Sequence, residues 1–291
     1  MPNTINLAKK YVPLLDEVYK AAAKTSVLDS DASMAREGAN TNEIVIPKIS
    51  MDGLGDYDRN TGYVTGETSL TWETVAFNFD RGRMFTVDSM DNEESVGLAF
   101  GRLASEFIRT KVVPEVDAFR FATYAGTAGI TTAAPAELTS GEAVIQALRA
   151  AADKMDEDEV PEESRHLFIT PTLMGMIDDL DTTKSKAVLS RFTSITKVPQ
   201  SRFYTAIEQK DGKTSGEEVG GYAKAAGAKN INFLIVEKSA AIQFEKHVVP
   251  KIISPEQNQT ADAWKFGYRN YAITDVYENK VAGIYLHSAT N

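Results

Sequence analysis

Across 291 residues the chain carries 31 Lys and Arg against 41 Asp and Glu, a formal charge of −10, with 43% hydrophobic residues and no cysteine. That length and apolar fraction suit one large or two ordinary domains with a sizeable core, not a disordered chain. The absence of cysteine excludes a disulfide framework, a thiol nucleophile and a zinc ribbon. Net acidity argues against wrapping nucleic acid, no apolar run approaches the roughly 20 residues of a membrane helix, and the start lacks a secretory pattern. A soluble, intracellular, globular or assembling protein is expected.

In chain order, Pro13 suits the first position of a short helix, with Leu14, Leu15, Val18 and Ala22 on one face. Beyond Lys24 a Ser-, Asp-, Asn- and Ala-rich stretch reads as an extended arm with no core of its own. Glu43 to Ile49 is a short strand, with Pro47 at an edge or end. From Val75 to Val87 the residues alternate: Val75, Phe77, Phe79, Arg81, Arg83, Phe85 and Val87 share one face. Gly53, Gly55, Gly62 and Gly66 mark turns between the two runs, so 43–87 reads as a hairpin-like excursion. A lone ribbon is marginal in water, and arginines are costly to bury unpaired. The ribbon should therefore rest on something else, such as another copy of the chain.

Asp91 and Glu94 have the spacing of a capping box and open a helix through Leu103, Phe107 and Ile108. Pro114 predicts a kink or break near Lys111, before Val116, Phe119 and Phe121 resume the pattern. One long bent helix, or two in line, is expected. Ser140 caps the next helix, whose stripe is Val144, Leu148, Ala151, Ala152 and Met155. A buried strand at His166–Thr170 follows, then a helix opened by Pro171, uncertain short strands over 191–206 and a flexible loop at 210–221. Asn232 to Val236 reads as strand, 238–246 as helix and Val248–Ile253 as strand. From Ala263 the tail is rich in strand formers, with Asn279-Lys280 at the turn of a closing hairpin.

Chemistry is scarce. Gly212-Lys213-Thr214 matches the tail of a phosphate loop, but Ile207 stands where its first glycine belongs, so a surface turn is the better reading. Asp153, Asp156, Glu157, Asp158, Glu159, Glu162 and Glu163 lack calcium-loop spacing and read as a solvated, self-repelling surface. His166, His247 and His287 are not paired at metal-ligand spacing, and no GxSxG elbow exists. No catalytic residue, cofactor site or metal site is assigned.

Four stretches, in this order, carry a resemblance: YVPLLDEVYK, FDRGRMFTVDSMDNEES, EFIRTKVVPEVDAFRFATYAG and YRNYAITDVYENKVAGIYLH. Together they resemble the major capsid proteins of tailed bacteriophages, a family of α+β shell subunits with the HK97-like capsid fold. The resemblance implies an N-terminal arm (1–42), an extended β-hairpin loop (43–87), a peripheral domain and sheet with the long spine helix (88–140), an inserted axial domain (141–254) and returning peripheral strands (255–291). It further implies a non-catalytic homo-oligomer of hexamers and pentamers, assembled in the bacterial cytoplasm, in which the loop of one subunit lies across its neighbour. A separate scaffolding protein and a portal are expected partners, and DNA is packaged without sequence-specific binding or any membrane.

Arg81 and Arg83 are expected to pair with an adjacent subunit, with Glu115 or Asp117 as acceptors, and Asp80 and Trp72 join the candidate contacts. Pairing within one subunit and simple solvation are the alternatives. Two other functions stay open: an encapsulin-type nanocompartment around cargo enzymes, and an NTP- or metal-dependent enzyme.

Overall fold

Threonine-rich sequence builds the first feature, a ribbon. A computed structural model describes residues 23–30, 36–37, 43–94, 98–180 and 183–291, and the expected helix at 13–22 lies outside them. Strands β1 (Arg36–Glu37), β2 (Glu43–Met51) and β3 (Thr68–Ala76) pair antiparallel. The root of the ribbon is packed, where Ile44, Ile46 and Val75 meet Ile242 and Ile273. The strand opposite β2 is therefore TSLTWETVA, not the alternating run 75–87. Most of β3 is exposed, so no polarity alternation marks it in the sequence.

The 75–87 run is cut at Phe77-Asn78, and its second part becomes β4 (Phe79–Asp88) of another sheet. Asn78 makes the join: its Nδ2 donates to the Thr274 carbonyl at 2.7 Å, and its Oδ1 accepts from the Thr274 N–H at 3.1 Å. That amide replaces the strand neighbour the break removes. The second sheet runs β11 (Ala241–Ile253), β12 (Ala263–Val276), β4, antiparallel throughout. The helix expected over 238–246 is thus one short turn, Lys238–Ala240, followed by strand. The ladder offered along β12 outweighs the helix preference of Ala and Lys.

Helix α1 (Ser89–Glu94) begins ahead of the expected cap, with the Met90 N–H bonded to Asp88 Oδ1 at 2.9 Å and Asp91 inside the first turn. Helices α2 (Leu98–Phe107) and α3 (Val113–Gly126) run in line through a π turn at Ile108–Val112. Pro114 removes a backbone donor there, and the wider turn just ahead accommodates the loss. This spine serves two layers. Near its start, Ala104, Ile108 and Val113 pack on Phe266 and Tyr268 of β12, and Phe107 meets Phe85 edge-on at 4.8 Å. Near its end, Phe121 and Tyr124 join Phe168, Phe203 and Leu234.

Those last contacts belong to the five-stranded sheet, ordered β5 (Thr131–Thr132), β13 (Ile284–Ser288), β10 (Ile231–Glu237), β6 (Arg165–Ile169), β7 (Ser194–Lys197). Its central strands β6 and β10 are buried along their whole length. Helices α4 (Gly141–Glu157), α5 (Pro171–Asp178) and α6 (Thr183–Leu189) cover the other face through Leu148, Met155, Leu173, Ile177 and Val188. Ser140 Oγ accepts the Ala143 N–H at 3.2 Å and caps α4. Gly141 has no substitute, since a Cβ would lie 2.1 Å from the Met176 carbonyl oxygen.

Strand order crosses the expected segment boundaries. β11 lies with β12 and β4, whereas β13 lies with β10. No closing hairpin joins β12 to β13: the turn Glu278–Gly283 carries the chain from one sheet to the other. A small hairpin, β8 (Ile207–Gln209) with β9 (Tyr222–Lys224), holds the loop 210–221 at its tip.

Candidate functional site

Strand alternation aims Arg81 and Arg83 from one side of β4, opposite Asn270 and Tyr268 of β12, toward the spine. Arg81 Nε donates to Glu115 Oε1 at 2.7 Å, and both side chains are largely shielded. This pair forms within a single chain, the alternative held beside an acid from a neighbouring subunit. Burial raises the Glu115 carboxyl above its ordinary pKa of 4.5, and the Arg81 charge and hydrogen bond pull against that rise.

The remaining donors of both arginines grip the 210–221 loop by its backbone. Arg81 Nη2 reaches the carbonyls of Lys210 at 2.7 Å and Gly221 at 3.2 Å. Arg83 Nη1 and Nη2 reach those of Val219 and Glu218, each at 2.8 Å. Between β4, the spine and this hairpin lies a groove of about 1430 Å3, with Phe85, Phe107 and Tyr268 among its walls.

Asp117 faces elsewhere. Fully buried, it accepts the backbone N–H groups of Lys24 and Thr25, the Thr25 hydroxyl at 2.8 Å and Arg202 Nη1 at 3.1 Å. Arg120, one turn on and also buried, donates to Thr25 Oγ1 and to Glu245 Oε1, each at 2.9 Å. Gln243 Nε2 donates to the Thr25 carbonyl at 3.0 Å. The arm's base is thus anchored by the spine and β11. Asp80 pairs with Arg269 on the adjacent strand at 2.6 Å. Trp72 stands on the ribbon, 43% exposed.

Sequence reasoning offered Glu115 or Asp117 as acceptors for Arg81 and Arg83 but missed Arg120, Arg202, Gln243 and the loop carbonyls. No local spacing marks these, because the partners are 85 to 218 residues apart. The acidic run also differs from its expected self-repelling surface: Arg165 pairs with Asp156 at 2.7 Å and Arg191 with Asp153 at 2.7 Å, and Arg191 also bonds Asp156.

The lysine turn is filled by its own chain. Asp211 Oδ1 accepts the N–H groups of Lys213 and Thr214 at 2.7 and 2.8 Å, and Oδ2 accepts the Thr214 hydroxyl. These bonds pull the Asp211 pKa down to about 2. The donors a phosphate would need are therefore already taken by a carboxylate. Among the described residues no group of His, Asp and Glu is placed to hold a metal ion, and no helix is long and apolar enough to cross a membrane.

Beyond its root the ribbon exposes large apolar side chains. Met51, Leu54, Tyr57, Tyr63, Val64, Leu70 and Trp72 all face solvent, and Leu54 does so completely. Tyr57 and Tyr63 stack edge-on at 4.8 Å across the tip. Folding this chain alone leaves that surface uncovered.

No protein-family model matches the sequence, and no curated protein does. Solved structures do. A structure of Gordonia phage Cozz aligns over 93% of this chain and 87% of its own, with TM-score 0.60 at 12% identity. The capsid of cyanophage P-SCSP1u aligns over 88% and 86%, with TM-score 0.55 at 12% identity. A virus-like particle from Pyrococcus furiosus aligns over 93% and 98%, with TM-score 0.54 at 10% identity. The likeness extends over most of each chain although only 10–12% of the residues are identical. The chain has the HK97-like capsid fold.

Proposed function

We propose that the chain is the major capsid protein of a tailed bacteriophage, a structural and non-catalytic subunit. Its hexamers and pentamers close an icosahedral head around double-stranded DNA, which they hold without reading its sequence. The observation that carries this reading is the ribbon: seven large apolar residues on a two-stranded projection, exposed in the isolated chain. A strand pair of that kind gains stability only by lying on another surface. Repeated over many copies, modest contacts of this sort add up, because ring closure raises the effective concentration for each next subunit.

The arm, loop, peripheral and axial segments carry over as roles in the shell, with Trp72 among the ribbon's contacts to a neighbour. Scaffolding and portal proteins act during assembly in the host cytoplasm, and the virion is the final location. A net charge of −10 suits a lumen against which packaged DNA slides rather than adheres.

Electron microscopy of the purified full chain, with and without a candidate scaffold, tests the proposal. Closed shells are expected. The triple variant Leu54→Ser, Tyr57→Ser, Tyr63→Ser should keep the wild-type circular dichroism and form none. A wild-type chain that stays monomeric under all these conditions, or a variant that still builds shells, overturns it.

A further inference from the structure

The 210–221 loop has the parts of a latched lid. Its ends carry glycines in the left-handed region, Gly212 at φ 72° and Gly220 and Gly221 at 67° and 84°, which bend where other residues resist. Between them the loop is held down chiefly by side chains from another element. Arg81 grips both closing residues, Lys210 and Gly221, while Arg83 forks onto Glu218 and Val219. Gly220 is shaped to this grip, since a Cβ there would sit 2.9 Å from Arg83 Nη1. None of these contacts is apolar, and Val219 points outward, 84% exposed.

An independent observation lies in the same groove. Asn270, opposite Arg81 in the strand register, lines the same groove and is 1% exposed. Neither its Nδ2 nor its Oδ1 has a hydrogen-bond partner. A buried amide with both groups unmet disfavours whatever arrangement buries it. The loop that Arg81 and Arg83 hold and this unmet amide thus line one groove.

We propose that residues 210–221 form a lid over the groove between β4 and the spine helix, latched by Arg81 and Arg83 and biased toward opening by Asn270. When the latch is released the lid swings on its terminal glycines, the Asn270 amide gains partners, and the groove beside Glu115 widens. The latch residues lie on β4, which follows β3 of the ribbon in the chain after the join at Phe77-Asn78.

Hydrogen–deuterium exchange on the unassembled full chain tests this without reference to shell formation. In Arg81→Gln/Arg83→Gln, amides over 212–221 should exchange at least about tenfold faster, with β6 and β10 unchanged. In Asn270→Leu, which keeps the latch and removes the unmet amide, lid exchange should slow severalfold. Unchanged lid exchange in the double variant overturns the latch. If the double variant unfolds globally, the leucine variant decides: slower lid exchange supports the proposal, and equal or faster exchange overturns it.

Discussion

Thr25 donates its hydroxyl to Asp117 Oδ1 at 2.8 Å across 92 residues of sequence, and this single contact locates the base of the arm on the spine. The Asp117 carboxylate is fully buried yet takes two backbone N–H groups, a hydroxyl and a guanidinium. Asp117→Asn removes the charge facing Arg202 and turns one acceptor into a donor. A loss of about 2–4 kcal/mol is expected, against about 1 kcal/mol for Thr25→Val. Thermal denaturation measures both. Limited trypsin digestion should also cut after Lys24 sooner in the asparagine variant, and equal digestion rates would contradict the anchor.

Phe121 joins the spine to the five-stranded sheet, with ring centroids 5.2 Å from Phe168 and 4.9 Å from Phe203, both edge-on. Phe121→Ala should cost about 3–5 kcal/mol, the range for a fully buried aromatic ring whose cavity cannot collapse. Chemical denaturation gives the value. A loss under 1 kcal/mol would mean that the two layers do not depend on this joint.

Glu115 supplies a pH signature. Its folded pKa is raised by burial against its ordinary 4.5, so the stability linked to it is present below 4.5 and is lost as pH rises through the folded value. Arg81→Gln strips away the opposing charge and raises that pKa further. The variant should lose about 1–3 kcal/mol at neutral pH, less than a fully buried pair because both groups keep some solvent. The deficit should shrink on acidification toward 4.5. A deficit independent of pH would show that Arg81 acts only through the loop carbonyls.

Glu237 should behave in the opposite sense. Burial pushes its carboxyl up, but bonds from Ser164 Oγ, Ser239 Oγ and the Ser239 N–H, with Lys280 nearby, pull it below 4.5 overall. Its contribution is therefore present above 4.5 and is lost as pH falls through the lower folded value. Glu237→Gln should be less stable by about 1–3 kcal/mol at pH 7 and should match the wild type in acid. Unfolding curves across pH check this, and a constant gap would refute it.

Elements defined by their own residues were legible in the sequence. The α4 stripe with its Ser140 cap, the start of α5 at Pro171, and the interrupted spine near Lys111 all appear where the pattern places them. Each depends on side chains within a few positions, so local physics suffices. The β3 segment was not legible, because its threonines dilute the few apolar residues and most of those it has are exposed. Nor was 241–246, where Ala and Lys favour helix until β12 supplies a ladder. At the candidate site, Arg81, Arg83, Glu115 and Asp117 were named as opposite charges, without saying which arginine meets which acid. The partners of Arg83 were out of reach, since they are main-chain carbonyls and every residue has one.

By itself the sequence determined an acidic, cysteine-free chain with an interrupted long helical stretch near Lys111 and a strand-forming excursion after the arm. Only the tertiary structure decided that Arg81 meets Glu115 in its own chain, that β11 and β13 go to different sheets, and that Asp117 anchors the arm. Periodicity reports which face of an element is buried, but not what lies against it. Pairings across about a hundred residues are selected by the packing of whole layers.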